Sequence, residues 1–401
     1  MYKRQCGRNY EDINLLTCPQ CGLDGILDVQ YDYDSIRKSF TRDILSSRKQ
    51  AGVFRYQELL PVDQPPPGML RVGWTPLYKS DTLGELLGLT ELYIKDETVN
   101  PSGSLKDRAS AIAVAIAARL GVGGIACAST GNAASSLAVL SASAGISSFI
   151  FVPASIPASK LLQIAACAAR VFKVRGTYED AFDIATWAIG RWGWYNRNCA
   201  INPNLVEGKK TCSLEICEQL SYSVPDWLVV QVGDGCILSG QWKAFKELKA
   251  LGLIERLPRI LAVQAKGCQP ILKAFREGID AYEAHPATIA DSIRVGKPRN
   301  WRKAVRAITE SKGYGIDVSD EEILEAINTM ARRAGIFVEP AGAAGLAGLK
   351  KAVEAGVIER NQKVVIIATG SGLKDPESIK DTLSVTEVGN TDDVERVIGG
   401  G

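Results

Sequence analysis

Histidine occurs once in 401 residues, as His285 in a polar stretch beside Pro286. A Ser-His-Asp triad, a Cys-His pair or a polyhistidine metal centre would have to be assembled around that one side chain. Acid–base work therefore falls to lysine, carboxylate or a cofactor. No uninterrupted apolar run reaches the roughly 18 residues of a membrane-spanning helix. The opening Met1-Tyr2-Lys3-Arg4-Gln5-Cys6 lacks the apolar segment of a secretory leader. Net charge is only +2, and no basic run interleaved with aromatics is present, which argues against a nucleic-acid surface. The ten cysteines are mostly scattered singly, a pattern expected of thiols kept reduced in a cytoplasm. Most of them need be no more than small buried hydrophobes.

What remains is an ordinary globular composition, 46% apolar and 23% charged, with length for two or three domains. From about residue 70 the hydrophobic period alternates. Strands are expected at 124–129, 148–152, 171–174, 227–232, 260–264 and 364–368. Helices are expected at 131–144 and 158–169, from the end of the 171–174 strand through Ile189, and at 207–220, 241–250 and 320–334. Such alternation predicts an α/β protein with two parallel-sheet domains, whose ligands gather at strand carboxyl ends beside helix N-termini. Residues 1–30 form a separate cysteine-containing segment, Pro61–Gly68 a stiff connector, and 385–401 an acidic, loose tail.

The segment Asn100-Pro101-Ser102-Gly103-Ser104-Leu105-Lys106-Asp107-Arg108 sets one lysine after a Pro/Ser/Gly-rich turn, at the start of an alanine-rich helical run. The positive end of the helix dipole disfavours the ammonium form there, and a neutral amine is what imine formation with an aldehyde requires. Ser129-Thr130-Gly131-Asn132 follows a strand and opens a helix. Gln231-Val232-Gly233-Asp234-Gly235-Cys236-Ile237 is strand, glycine-rich turn, then helix, a setting suited to a dianionic phosphate. Ile367-Ala368-Thr369-Gly370-Ser371-Gly372-Leu373-Lys374-Asp375 follows the last strand.

These four segments, with Gly73-Trp74-Thr75-Pro76-Leu77 as an entry strand, resemble the threonine synthase family of fold type II (tryptophan synthase beta-like) pyridoxal-phosphate enzymes. The resemblance implies pyridoxal 5'-phosphate as cofactor and Lys106 as the lysine that bonds its aldehyde and later takes the Cα proton. It places Asn132 at the phenolic oxygen, Thr369 at the pyridine nitrogen, and Gly233, Asp234, Gly235, Cys236 and Ile237 around the phosphate, with the Asp234 carboxylate turned away. Ser129, Thr130, Gly131 and Ala133 fall where the family binds substrate. Implied domains are 31–113 with 214–384 as a discontinuous large domain and 114–213 as a small one. A homodimer acting on a small amino acid is implied as well.

The chain departs from the family where the substrate's phosphate is gripped. In Cys199-Ala200-Ile201-Asn202-Pro203-Asn204-Leu205-Val206-Glu207-Gly208-Lys209-Lys210-Thr211, the family's asparagine, serine and arginine are Cys199, Ala200 and Leu205. Each lost charge-assisted hydrogen bond removes about 1.5–3 kcal/mol. The expected reaction is therefore β-elimination or replacement on an amino acid without a phosphate ester. The alternative is a threonine synthase using O-phosphohomoserine, its phosphate held by other cations such as Lys209, Lys210 or Arg294. A protein that only binds the cofactor is the third reading. Thr288-Ile289-Ala290-Asp291-Ser292-Ile293 and Glu339-Pro340-Ala341-Gly342-Ala343 look like dehydratase segments. At the amino end, Cys6, Cys18 and Cys21 resemble a zinc ribbon whose fourth ligand position holds Lys3, so no metal is expected.

Overall fold

The computed structural model describes residues 2–4, 8–12, 15–22, 25–156, 158–380 and 386–399. Two sheets carry the molecule. The larger runs in the order Tyr314–Val318, Arg259–Ala265, Trp227–Gln231, Lys363–Ala368, Glu91–Asp96, Leu77–Lys79. All neighbours are parallel except the short edge strand Leu77–Lys79. The smaller sheet is fully parallel, in the order Arg170–Val174, Ser148–Pro153, Ile125–Ala128, Tyr195–Asn196. The central strands Trp227–Gln231 and Ile125–Ala128 are buried along their whole length, as expected of strands covered by helices on both faces.

Helix 320–334 begins and ends where its period placed it, behind a Ser319/Glu322 capping box and ahead of left-handed Gly335. Helix Asn204–Gln219 starts three residues earlier than expected, and helix Cys236–Ala250 five. Strand Glu91–Asp96 escaped the hydrophobic reading because two of its three charged residues, Lys95 and Asp96, are buried.

The amino-terminal segment pairs Asn9–Tyr10, Tyr2–Arg4 and Leu27–Val29 antiparallel. Lys303, on the helix Trp301–Glu310, anchors it through Asp28 at 2.6 Å and the Leu27 carbonyl at 2.7 Å. Cys18 is buried against the Tyr10 hydroxyl, Cys21 is exposed, and Cys6 lies outside the described residues. No group of three metal-ligating side chains occurs among the described residues, and none of their helices is long and apolar enough to cross a membrane. The tail expected to be loose contains an exposed helix, Thr391–Gly399, whose Val394, Val397 and Ile398 form an apolar stripe that alternates with its acids.

Candidate active site

Lys106 opens the helix Lys106–Leu120, and that end of the helix is fixed from three sides. Leu105 N–H donates to the Thr369 carbonyl at 2.9 Å, and Ser371 N–H to the Gly103 carbonyl at 2.9 Å. The lysine turn and the Thr369 turn are thus stitched together although 263 positions separate Lys106 from Thr369. Asp107 receives the Ser102 amide at 2.6 Å and closes the turn beneath.

Arg108 supplies the third constraint. It forks onto Glu97 at 2.7 Å through both Nε and Nη2, and onto Glu215 at 2.6 and 2.7 Å. Lys95 Nζ adds 2.8 Å to Glu215, and all four side chains are fully buried. Against burial, which would raise it, Arg108 and Lys95 hold the Glu215 carboxyl down at about 2. The same carboxylate accepts the amides of Trp74 and Thr75, which is why the Gly73–Leu77 segment passes here, with Trp74 at φ 52°.

The Lys106 amine is pulled down to about 8. Burial is the largest cause, followed by the Lys209 ammonium, so desolvation rather than the helix end produces most of the effect. Around it a small cavity of about 20 Å³ is lined by Asn132, Gln231, Ile237, Ser292, Glu339 and Thr369. It adjoins an open cavity of about 470 Å³, whose wall includes Ser102, Thr130, Gly131, Asn132, Ser371 and Lys374. Asn132, first residue of helix Asn132–Ser143, donates to both Glu339 oxygens at 2.8 and 3.0 Å and to Ser292 Oγ at 3.2 Å. Burial raises the Glu339 carboxyl above its usual value.

Gly233–Ile237 lies between strand Trp227–Gln231 and helix Cys236–Ala250. Gly235 is left-handed at φ 89°, and a Cβ on it would stand 2.9 Å from the Asn300 carbonyl oxygen. A Cβ on Gly233 would meet the Ile293 Cα at 3.0 Å. Small residues are thus required on both sides of a cradle whose first-turn N–H groups have no intrahelical acceptor. The Asp234 carboxylate is engaged by the Arg299 amide at 2.6 Å and faces Cys236 Sγ at 3.3 Å; burial raises its pKa.

Of the remaining expected residues, Ser129 Oγ accepts the Gly131 amide at 3.3 Å. Cys199 Sγ meets Lys209 Nζ at 2.7 Å. Neither cavity is lined by Ala133, Ala200 or Leu205. Leu205 is fully buried in an apolar cluster with Ile112 and Ile125, so it serves packing there. His285 is exposed and distant in role from this chemistry. Arg197 was missed by the sequence reading. It is 1% exposed, donates to Ser110 Oγ at 3.0 Å and to the Lys106 carbonyl at 3.3 Å, and has no carboxylate partner among the described residues. Its position after the short strand Tyr195–Asn196 carried no motif that could have flagged it.

Residues 69–370 match the family described as pyridoxal-phosphate dependent enzyme. The chain is 43% identical over 379 residues to a threonine synthase from Methanocaldococcus jannaschii, covering 93% of this chain and 92% of that protein. It is 41% identical over 402 residues to a threonine synthase from Methanosarcina acetivorans, covering 99% and 98%. Among solved structures, maize serine racemase superposes with a TM-score of 0.65 at 25% identity, over 74% of this chain and 88% of that one.

Proposed function

Since the chain belongs to the threonine synthase family of pyridoxal-phosphate dependent enzymes, we propose that it is a lyase for β-elimination or β-replacement on a small amino acid lacking a phosphate ester. The observation that carries this reading is the lining of the family's phosphate position. Leu205 is packed into the core, Ala200 offers no side-chain donor, and Cys199 is engaged by Lys209.

The residues present fit the cofactor. The partly buried Lys106 amine has no acid partner within ion-pair distance among the described residues, and the glycine cradle of 233–237 admits nothing larger than a backbone at two positions. Lys106 would hold the aldehyde, the first turn of helix Cys236–Ala250 the phosphate, Asn132 and Thr369 the ring. Pyridoxal phosphate supplies the electron sink that makes an α-proton removable. Lys106, with its amine near 8, accepts that proton at mildly alkaline pH, where it is neutral. Thr369 offers only a neutral hydroxyl, which leaves the sink tempered and suits elimination over transamination. The buried Glu339 holds the Asn132 amide in place.

A second reading is favoured by the buried cations Lys209 and Arg197 and by the names of the two archaeal relatives: a threonine synthase whose substrate phosphate is met by Lys209 instead of the family's arginine. Lys210 and Arg294 are already committed, to Glu207 and Glu247 and to Asp291 respectively. Purified cofactor-loaded protein, offered O-phosphohomoserine, serine and threonine in parallel, separates the two. Keto-acid release from serine or threonine without phosphate release from the ester is expected. Threonine and phosphate formed rapidly from O-phosphohomoserine would replace the first reading by the second. A homodimer in the cytoplasm accompanies the proposal.

A further inference from the structure

Beside Lys106 lies a cluster that the proposed chemistry does not use. Lys209 is 2% exposed, and its ammonium has Cys199 Sγ, at 2.7 Å, as its counter-group. A buried cation is tolerated only beside an anion, and a thiol next to a lysine supplies one as thiolate. Cys236 stands against the backbone of Cys199. Its Sγ lies 3.4 Å from the Cys199 carbonyl oxygen and 3.3 Å from Asp234 Oδ2, and it receives Asn300 Nδ2 at 2.9 Å. The neighbouring Cys236 side chain, ahead of burial, which opposes it, and of Lys209 and Arg197, holds the Cys199 thiol well below its usual value. The Cys199 side chain and burial push Cys236 up. The charged groups facing the pair are Lys209, Arg197, Lys106 and Asp234.

We propose that Cys199 and Cys236 are a hydroperoxide-sensitive modification site, with Cys199 the attacking thiolate and Cys236 the resolving thiol. Cys199 sulfur attacks one peroxide oxygen, an S–O bond forms, the O–O bond breaks, and hydroxide (or an alkoxide) leaves. Cys236 then gives its proton to Asp234 and attacks the Cys199 sulfenic sulfur. An S–S bond forms and the S–O bond breaks. The departing hydroxide takes the proton from Asp234 and leaves as water. Two thiols lose two electrons, and the peroxide gains them. The bond would join the Cys199 segment of the small domain to the first residue of helix Cys236–Ala250. On the reading given above, that ties the family's substrate-phosphate position to the cofactor-phosphate cradle.

The test uses cofactor-loaded wild-type protein treated with stoichiometric hydrogen peroxide at neutral pH, with thiol counting and peptide mapping by mass spectrometry. Expected are the loss of two thiols and a Cys199–Cys236 cross-linked peptide that dithiothreitol reverses. In Cys236→Ser the Cys199 sulfenic acid persists and is trapped by dimedone. Lys209→Gln slows Cys199 oxidation about tenfold or more, because the thiol returns toward ordinary acidity. Oxidation of Cys199 no faster than that of buried Cys127 or Cys217, or without any bond to Cys236 in wild type, overturns the proposal. These readouts need no turnover, so a silent amino-acid panel and a silent thiol pair are separate failures.

Discussion

Lys106 gathers the consequences of burial at a single nitrogen. Its amine, pulled down to about 8, is protonated below that value and neutral above it. Capture of pyridoxal phosphate by the cofactor-free protein is therefore expected to quicken as pH rises through about 8, and stopped-flow absorbance across that range reads it directly. The stability sign runs the same way. Between the folded value and the ordinary lysine value the unfolded chain binds more protons, so stability rises with pH in that window. Lys106→Met removes the cost of the buried ammonium. It should stabilise the cofactor-free protein at neutral pH by about 1–3 kcal/mol in urea unfolding, while abolishing the visible cofactor band.

Helices decide where that nitrogen points. Helix Asn204–Gln219 crosses Lys106–Leu120 so closely at Gly208 that a Cβ there would stand 2.0 Å from the Arg108 carbonyl oxygen. Gly208→Ala should cost at least about 2 kcal/mol by overpacking and disturb cofactor uptake in whatever folds. Glu215, from the same helix, joins Arg108 and Lys95 across the interface. Its contribution is complete above the usual carboxylate pKa and is lost as pH falls toward about 2. Glu215→Gln leaves buried Lys95 without a carboxylate and Arg108 with Glu97 alone, and acid and urea unfolding should show a loss of about 3–5 kcal/mol with a flatter acid limb.

Much of this arrangement was legible beforehand because each motif couples a strand end to a helix start. Lys106 and Asn132 open helices, Thr369 follows a strand end, and the 233–237 turn joins a strand to a helix. What was hidden is long-range. Nothing local to Glu97 or Glu215 announces that both meet Arg108, and Leu205 reads as a pocket position until the apolar cluster is seen around it. Inward charge likewise concealed strand Glu91–Asp96.

At the scale of the whole molecule, the mouth of the larger cavity is tied shut along one side by Lys374. Its ammonium donates to the Ser102 carbonyl at 2.8 Å, Ser135 Oγ at 3.0 Å and Gln163 Oε1 at 2.8 Å, so it spans both sheet systems. None of its three acceptors is charged. Lys374→Met keeps the stem and removes the donors. It should raise the cofactor off-rate several-fold in a dilution-chase experiment while leaving the unfolding midpoint within about 0.5 kcal/mol.

The stitching of the lysine turn to the Thr369 turn, backed by the buried charges under Arg108, has a calorimetric consequence. A pocket already assembled by its own backbone has little left to fold when a ligand arrives. Titration of cofactor-free protein with pyridoxal phosphate at several temperatures should give a heat-capacity change no larger than the cofactor's own apolar surface explains. A large negative value, of the size seen when segments order on binding, would instead mean that the cofactor builds the site it occupies.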